Sequence, residues 1–259
     1  IALDFENMRR AWKWAVSRRD FDAVNRALAP LSSFCGTRVY YKQGMALFQY
    51  AREELAPKSN EEPHLVWARA LIYWTEFDVK REQIERALEI AKRENAAIEI
   101  AECYTIFGRM ASYEGDYATT VNWLQRSLEL VQSTGDQFRI TRVMLGLGSA
   151  YVQLGQHESH LQLTRQALAL ARQTGDQEGV AEGLTELAEH AFLLGQYEEA
   201  EQTCAEVIVL SDEIGHPSLV AWAATTQGLC SLLLGENEQA ATLINDGLDI
   251  SNRLGFPIP

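Results

Sequence analysis

Residues 115–154, GDYATTVNWLQRSLELVQSTGDQFRITRVMLGLGSAYVQL, form a unit that the chain repeats. The pattern reopens at Gly155, Gly195 and Gly235, each 40 residues after the last. A second glycine series, Gly135, Gly175, Gly215 and Gly255, keeps the same step half a period away. Each glycine closes a run whose apolar residues recur every three or four positions, so one unit is two helices and two turns. A fixed period of roughly 20–50 residues marks a solenoid, in which each unit buries its apolar face against its neighbours.

The chain has 259 residues, 47% of them hydrophobic, enough for a folded array that runs as one body. Its formal net charge of −13 argues against direct nucleic-acid binding and against docking on an anionic membrane. Its apolar runs read as too short to span a bilayer, and no signal peptide is recognised. Cys35, Cys103, Cys204 and Cys230 share no CxxC spacing and fall at helical, mostly apolar positions. They read as reduced core residues of a cytoplasmic protein. With Ile1 at its start and GFPIP at its end, the chain reads as a piece of something larger.

Outward from the central unit, the apolar spacing predicts thirteen helices and no strand. Three precede the regular pairs, at about 4–18, 21–35 and 39–55. Asp4 is placed as the first N-cap, and Phe5, Met8, Ala11, Trp12, Ala15 and Val16 share one face. Pro30 is expected to kink or divide the second helix. Five pairs follow: 63–74 with 77–93, 97–114 with 117–133, 137–154 with 157–173, 177–194 with 197–213, and 218–234 with 237–253. Asn95 stands where Gly135 stands one unit later, and asparagine tolerates the left-handed turn.

These units resemble tetratricopeptide (TPR) repeats in a forty-residue form. The small position of helix A is Gly108, Gly148, Ala188 and Gly228; before it stand Phe107, Leu147, Leu187 and, as a departure, Gln227. The turn glycine is Gly115, Gly155, Gly195 and Gly235. The aromatic after it is Phe77, Tyr117 and Tyr197, replaced by His157 and Asn237 in two units. The small position of helix B is Ala200 and Ala240, with Thr120 and His160 departing. The stretch YKQGMALFQYA (41–51) resembles a degenerate unit. The resemblance implies an all-α, right-handed TPR-like superhelical solenoid of antiparallel helix pairs, with a degenerate first repeat at 21–62 and five regular pairs over 63–259. It also implies close packing of helices A and B, so that Gly148→Leu overpacks the seam by roughly 1–3 kcal/mol.

The N-terminal stretch, through Glu6, Asn7, Met8, Arg9, Arg10, Ala11, Trp14 and Ala15, is similar to the segment after the winged-helix part of bacterial STAND-type signalling ATPases, including large LuxR-type regulators. That resemblance implies a linker helix over 1–20 leading from a missing upstream ATPase domain. It makes the array a non-catalytic, ligand-sensing and protein-interaction region in signal transduction and transcription regulation. No P-loop occurs in the chain itself. Alternatives are a stand-alone TPR adaptor for peptides or partner helices, a TPR-like peptide-pheromone receptor, and, more remotely, an enzyme.

Carried over unit by unit, the TPR concave positions are Arg69 and Tyr73; Glu102, Thr105, Arg109 and Tyr113; Arg142, Ser149 and Gln153; Glu182, Thr185 and Glu189; and Trp222, Thr225 and Leu229. Arginines beside tyrosines suit carboxylate-bearing or planar ligands; the plainer reading is ion pairing within the array. The ligand is expected to be a peptide, a protein or a small-molecule inducer.

Elsewhere the chemistry is sparse. Gly146 and Gly148 make a GxG that follows no strand, so helix packing explains it better than a dinucleotide. His157, Glu158 and His160 form HExH, one residue short of a zincin motif and without a third ligand in the sequence, so no metal is expected. His64, His190 and His216 read as isolated. Glu182, Glu186 and Glu189 read foremost as a solvated helix face. No catalytic constellation can be assembled, and no cofactor is expected. Leu243, Ile244, Leu248 and Ile250 keep the last helix as apolar as an internal one. That implies further repeats or self-association at that end.

Overall fold

The structure is a computed structural model that describes residues 2–37, 41–75, 78 and 80–254. Those residues form thirteen helices and no strand. They are α1 (Ala2–Ser17), α2 (Phe21–Thr37), α3 (Tyr41–Glu54), α4 (Leu65–Trp74), α5 (Arg81–Arg93), α6 (Ala97–Tyr113) and α7 (Tyr117–Thr134). There follow α8 (Gln137–Gln153), α9 (His157–Thr174), α10 (Gln177–Leu193), α11 (Tyr197–Ile214), α12 (Pro217–Leu234) and α13 (Asn237–Leu254). The chain forms two compact units, residues 1–110 and 111–259, divided within α6.

The turns explain the period. Gly115, Gly135, Gly155, Gly175, Gly195, Gly215 and Gly235 all have φ between 71° and 90°. A side chain is strained in that left-handed region, and the helix ends where the backbone enters it. Asn95 takes the same role with φ 51°. The opposite ends are fixed by caps. Asp116, Asp136 and Asp176 accept the backbone N–H of Thr119, Arg139 and Gly179, satisfying donors the helix leaves open.

In residues 1–110 the core joins α1 to α4. Trp12, Val16, Val24, Leu28, Leu47, Phe48 and Leu71 are buried. Two tryptophans find carbonyls for their indole N–H: Trp12 donates to Leu47 O at 3.0 Å and Trp67 to Arg52 O at 2.9 Å. Four expectations change here. Helix α1 begins by Ala2, so Asp4 lies inside it and not at its cap. Met8 and Ala11 are exposed, because only Phe5, Trp12, Ala15 and Val16 reach the core. Helix α2 continues through Pro30 without division. Helix α5 starts at Arg81, four residues later than expected; Phe77 lies outside the described residues, as does Gly255.

In residues 111–259, successive helices pack as pairs and against the next pair, α7 on α8, α8 on α9, and so on to α12 on α13. The seams need small residues. A methyl group on Gly148 would stand 2.9 Å from the Thr164 hydroxyl; one on Gly228 would stand 2.7 Å from Ile244 Cγ1 and 3.1 Å from the Ala240 carbonyl. Leu168 of α9, Leu184 and Ala188 of α10, Cys204 and Val207 of α11 and Ala223 of α12 form one core cluster. All four cysteines are buried and free. Burial pushes the Cys103 and Cys204 thiols up to about 12, which keeps them protonated.

One membrane expectation is corrected. Helix α12 is 18 residues long with mean hydropathy 1.2, long and apolar enough by composition to cross a bilayer. At 1.5 Å per residue it measures about 27 Å. Here it packs between α11 and α13.

Candidate functional site

The first helices of the pairs in residues 111–259 are α8, α10 and α12, and their polar residues recur in step. The centre is Arg142 on α8. Its guanidinium pairs with Glu182, with Glu178 at 3.2 Å and with Asp176 at 3.6 Å, all from α10 or its cap. One cation thus serves three carboxylates. Burial works against the charge on Arg142, but Glu182, Glu178 and Asp176 outweigh it and hold the guanidinium above its ordinary pKa. The acids gain less from the shared cation. Burial, aided by Glu178 and Asp176, raises the Glu182 carboxyl despite Arg142.

One turn further along α10 stands Glu186. Burial, then the negative charges of Glu189 and Glu182, push its carboxyl up to about 8. No cation lies within ion-pair distance of it among the described residues. Glu189 is raised as well, by burial. The acidic row, expected from the sequence to be a solvated face, is one in part: Glu189 is exposed, while Glu182 and Glu186 are half-buried.

The sign of the resulting pH dependence is fixed. A carboxyl raised by folding leaves stability intact below its ordinary pKa of about 4.3 and weakens it as pH rises toward the folded value of about 8. Glu186→Gln is therefore expected to stabilise the chain by about 1–2 kcal/mol at pH 8 and to be neutral at pH 4. Urea midpoints across that range check it; a difference independent of pH would contradict it.

The remaining expected residues are placed as follows. Arg69 pairs with buried Glu99 at 2.6 Å and also donates to Asn25, tying α2, α4 and α6. Arg109 donates to the Thr75 hydroxyl at 3.2 Å. So all three arginines read as ligand forks are engaged by the chain's own groups. Tyr73 is half-buried beside Phe48, and Glu102 is half-buried. Thr105, Thr185 and Thr225 each donate to the carbonyl four residues back, those of Ala101, Ala181 and Ala221. Tyr113 is 79% exposed. Ser149 and Trp222 are half-buried; Gln153, Glu189 and Leu229 are exposed.

Of the histidines that read as isolated in the sequence, His64, His190 and His216, each has a partner. His64 caps α4 by accepting the Val66 N–H, and its ring stacks on Phe21. His216 caps α12 and stands 3.9 Å from Glu178. His190 is not isolated: its ring lies against both His157 and His160 where α9 meets α10. A comparison of units would have revealed this. His157, His160 and His190 occupy the positions of Tyr197, Ala200 and Cys230 one unit later, so three departures fall on one junction.

No protein-family model and no curated protein sequence matches the chain. Solved structures do. A STAND protein with a tetratricopeptide repeat sensor from Pyrococcus horikoshii is 17% identical, with TM-score 0.67, covering 97% of this chain and 44% of its own. A Rap protein complexed with Competence and Sporulation Factor is 14% identical, with TM-score 0.66, covering 91% of this chain and 67% of its own. NprR in complex with its cognate peptide NprX is 15% identical, with TM-score 0.60, covering 96% and 68%. The chain spans less than half of the STAND protein's length. The likeness establishes the fold as an all-α, TPR-like solenoid of helix pairs.

Proposed function

We propose that this chain is a non-catalytic sensing and interaction array that takes a peptide or protein segment on the first-helix face of residues 111–259, as part of a STAND-type regulator. The carrying observation is that face itself: α10 carries the half-buried carboxyls of Glu182 and Glu186, both raised by burial, and the next first helix, α12, carries half-buried Trp222 and exposed Leu229. Half-buried carboxyls that ionise on meeting a cation, on the same face as an aromatic ring, suit a segment that brings a lysine or arginine and an apolar side chain. An array in this fold that binds a peptide has precedent in the Rap and NprR complexes.

The STAND assignment has separate support. In α1 several of the residues that carry the resemblance turn outward: Asn7, Met8, Ala11 and Trp14 are exposed, the last by 56%, while Ala15 is buried. A stripe left uncovered on the first helix suits contact with an upstream domain. Leu229, Leu232, Leu233 and Leu248, exposed near the other end, suit self-association or a further repeat. A cytoplasmic location fits four free cysteines.

The test is fluorescence polarisation with a library of labelled basic and neutral peptides. Peptides with Lys or Arg are expected to bind, with affinity falling as salt rises and at least about tenfold in Trp222→Ala and Glu189→Lys. Equal affinity of both variants for every bound peptide would count against this face. In the whole protein carrying this chain, the same peptide should alter nucleotide exchange. Peptide binding with no nucleotide-linked response would favour the stand-alone adaptor.

A further inference from the structure

Three of the chain's five histidines meet at the α9/α10 junction, in positions where the next junction is apolar. That next junction packs Ala191, Ala200 and Cys230 with Phe192 and Tyr197. Replacing such a cluster by imidazoles introduces polar atoms that burial penalises. Local departures of this kind concentrate at functional positions.

The geometry says what these rings suit. His190 Nε2 and His157 Nδ1 stand 3.2 Å apart. Two imidazole nitrogens bound to one tetrahedral zinc at 2.0–2.1 Å stand about 3.3 Å apart. His190 is 4% exposed and held in place by His160, whose ring lies 4.9 Å away at 30°. His160 is in turn fully buried, its Nδ1 3.4 Å from the Thr164 hydroxyl. His157 is exposed and opens onto a shallow surface depression lined by Glu158, Gln162 and Arg165.

We propose that His157 and His190 form an open, two-histidine site for a borderline divalent metal of the zinc, nickel or copper class. Nδ1 of His157 and Nε2 of His190 are the ligands, and His160 is a positioning residue. Among the described residues no group of three or more ligand side chains surrounds a common point. The remaining coordination positions are left to water or to a donor from a bound molecule. An open site of this kind binds metal more weakly than a closed structural one and leaves the ion able to take another ligand. Arg165 opposes a cation here; Glu158, at the same depression, offsets it.

The chain's own repeats supply variants suited to the fold. His157→Tyr restores the residue at Tyr117 and Tyr197, and His190→Ala restores that at Ala150. The experiment is isothermal titration of ZnCl2 into tag-free protein at pH 7.5, with long-range ¹H–¹⁵N spectra of the imidazoles. The expected result is one zinc per chain, with shifts at His157 Nδ1 and His190 Nε2. The His157→Tyr/His190→Ala variant should keep its melting temperature in EDTA and bind at least about tenfold more weakly. Failure of wild-type protein to bind at millimolar zinc would overturn the proposal and leave a hydrogen-bonded imidazole pair. Undiminished binding by the variant, or shifts at other histidines only, would overturn it equally.

Discussion

Gly228→Leu is expected to lower the thermal midpoint by roughly 6–12 °C, equivalent to about 3 kcal/mol. Even a single methyl at Gly228 meets backbone on the facing helix: the Ile244 nitrogen at 3.0 Å and the Ala240 carbonyl at 3.1 Å. Backbone in a helix cannot rotate away, so α12 and α13 must separate, and the Ala240 and Gly247 seam opens with them. Gly148→Leu is the internal comparison. There the nearest atoms belong to side chains, the Thr164 hydroxyl at 2.9 Å and the His160 ring at 3.5 Å, which can turn aside. Its effect is expected to stay near the lower end of roughly 1–3 kcal/mol. Differential scanning calorimetry of the two variants checks the order. A smaller loss at Gly228 than at Gly148 would mean that the seams yield by a different route.

Arg142→Ala is the second large effect, about 1–3 kcal/mol at pH 7. It removes the one cation shared by Glu182, Glu178 and Asp176, and Asp176 is only 5% exposed. Ionised acids left in that setting repel one another without relief, so the Glu182 carboxyl rises further. Well below about pH 4 the carboxyls are protonated in both folded and unfolded chains, and the deficit should shrink toward the packing loss alone. Adding Glu182→Gln to Arg142→Ala should recover part of the stability at pH 7, which a double-mutant cycle in urea measures. A deficit that is the same at pH 4 and pH 7 would show that the arginine contributes through its stem and not its charge.

The backbone was readable because its signals are local. A glycine at φ 71° to 90° ends a helix wherever it stands, and forty-residue spacing repeats that instruction seven times. Helix limits therefore came out within a residue or two from α6 onward. In the irregular first part no glycine series marks the helix ends, and the start of α5 and the outward turn of Met8 differ from the sequence reading. The site residues depend on which side chains meet across a junction, and sequence distance conceals that. Arg142 lies forty residues from Glu182, and His157 thirty-three from His190. The three arginines lie on α4, α6 and α8, where the chain's own carboxylates and hydroxyls claim them. Only superposing the units shows His157, His160 and His190 departing together.

Those same pairs set a limit on how the gene can change. Where junctions are built from small and apolar residues in common register, unequal crossing-over between two copies of the forty-residue coding unit would add or delete a module and leave compatible surfaces on both sides. Between the α8/α9 pair and the α10/α11 pair this freedom is lost. A crossover there parts Arg142 from Glu182 and His157 from His190, leaving an acid row without its cation and an imidazole without its mate. That junction can be inherited only as a block, while the modules beyond it remain free to multiply.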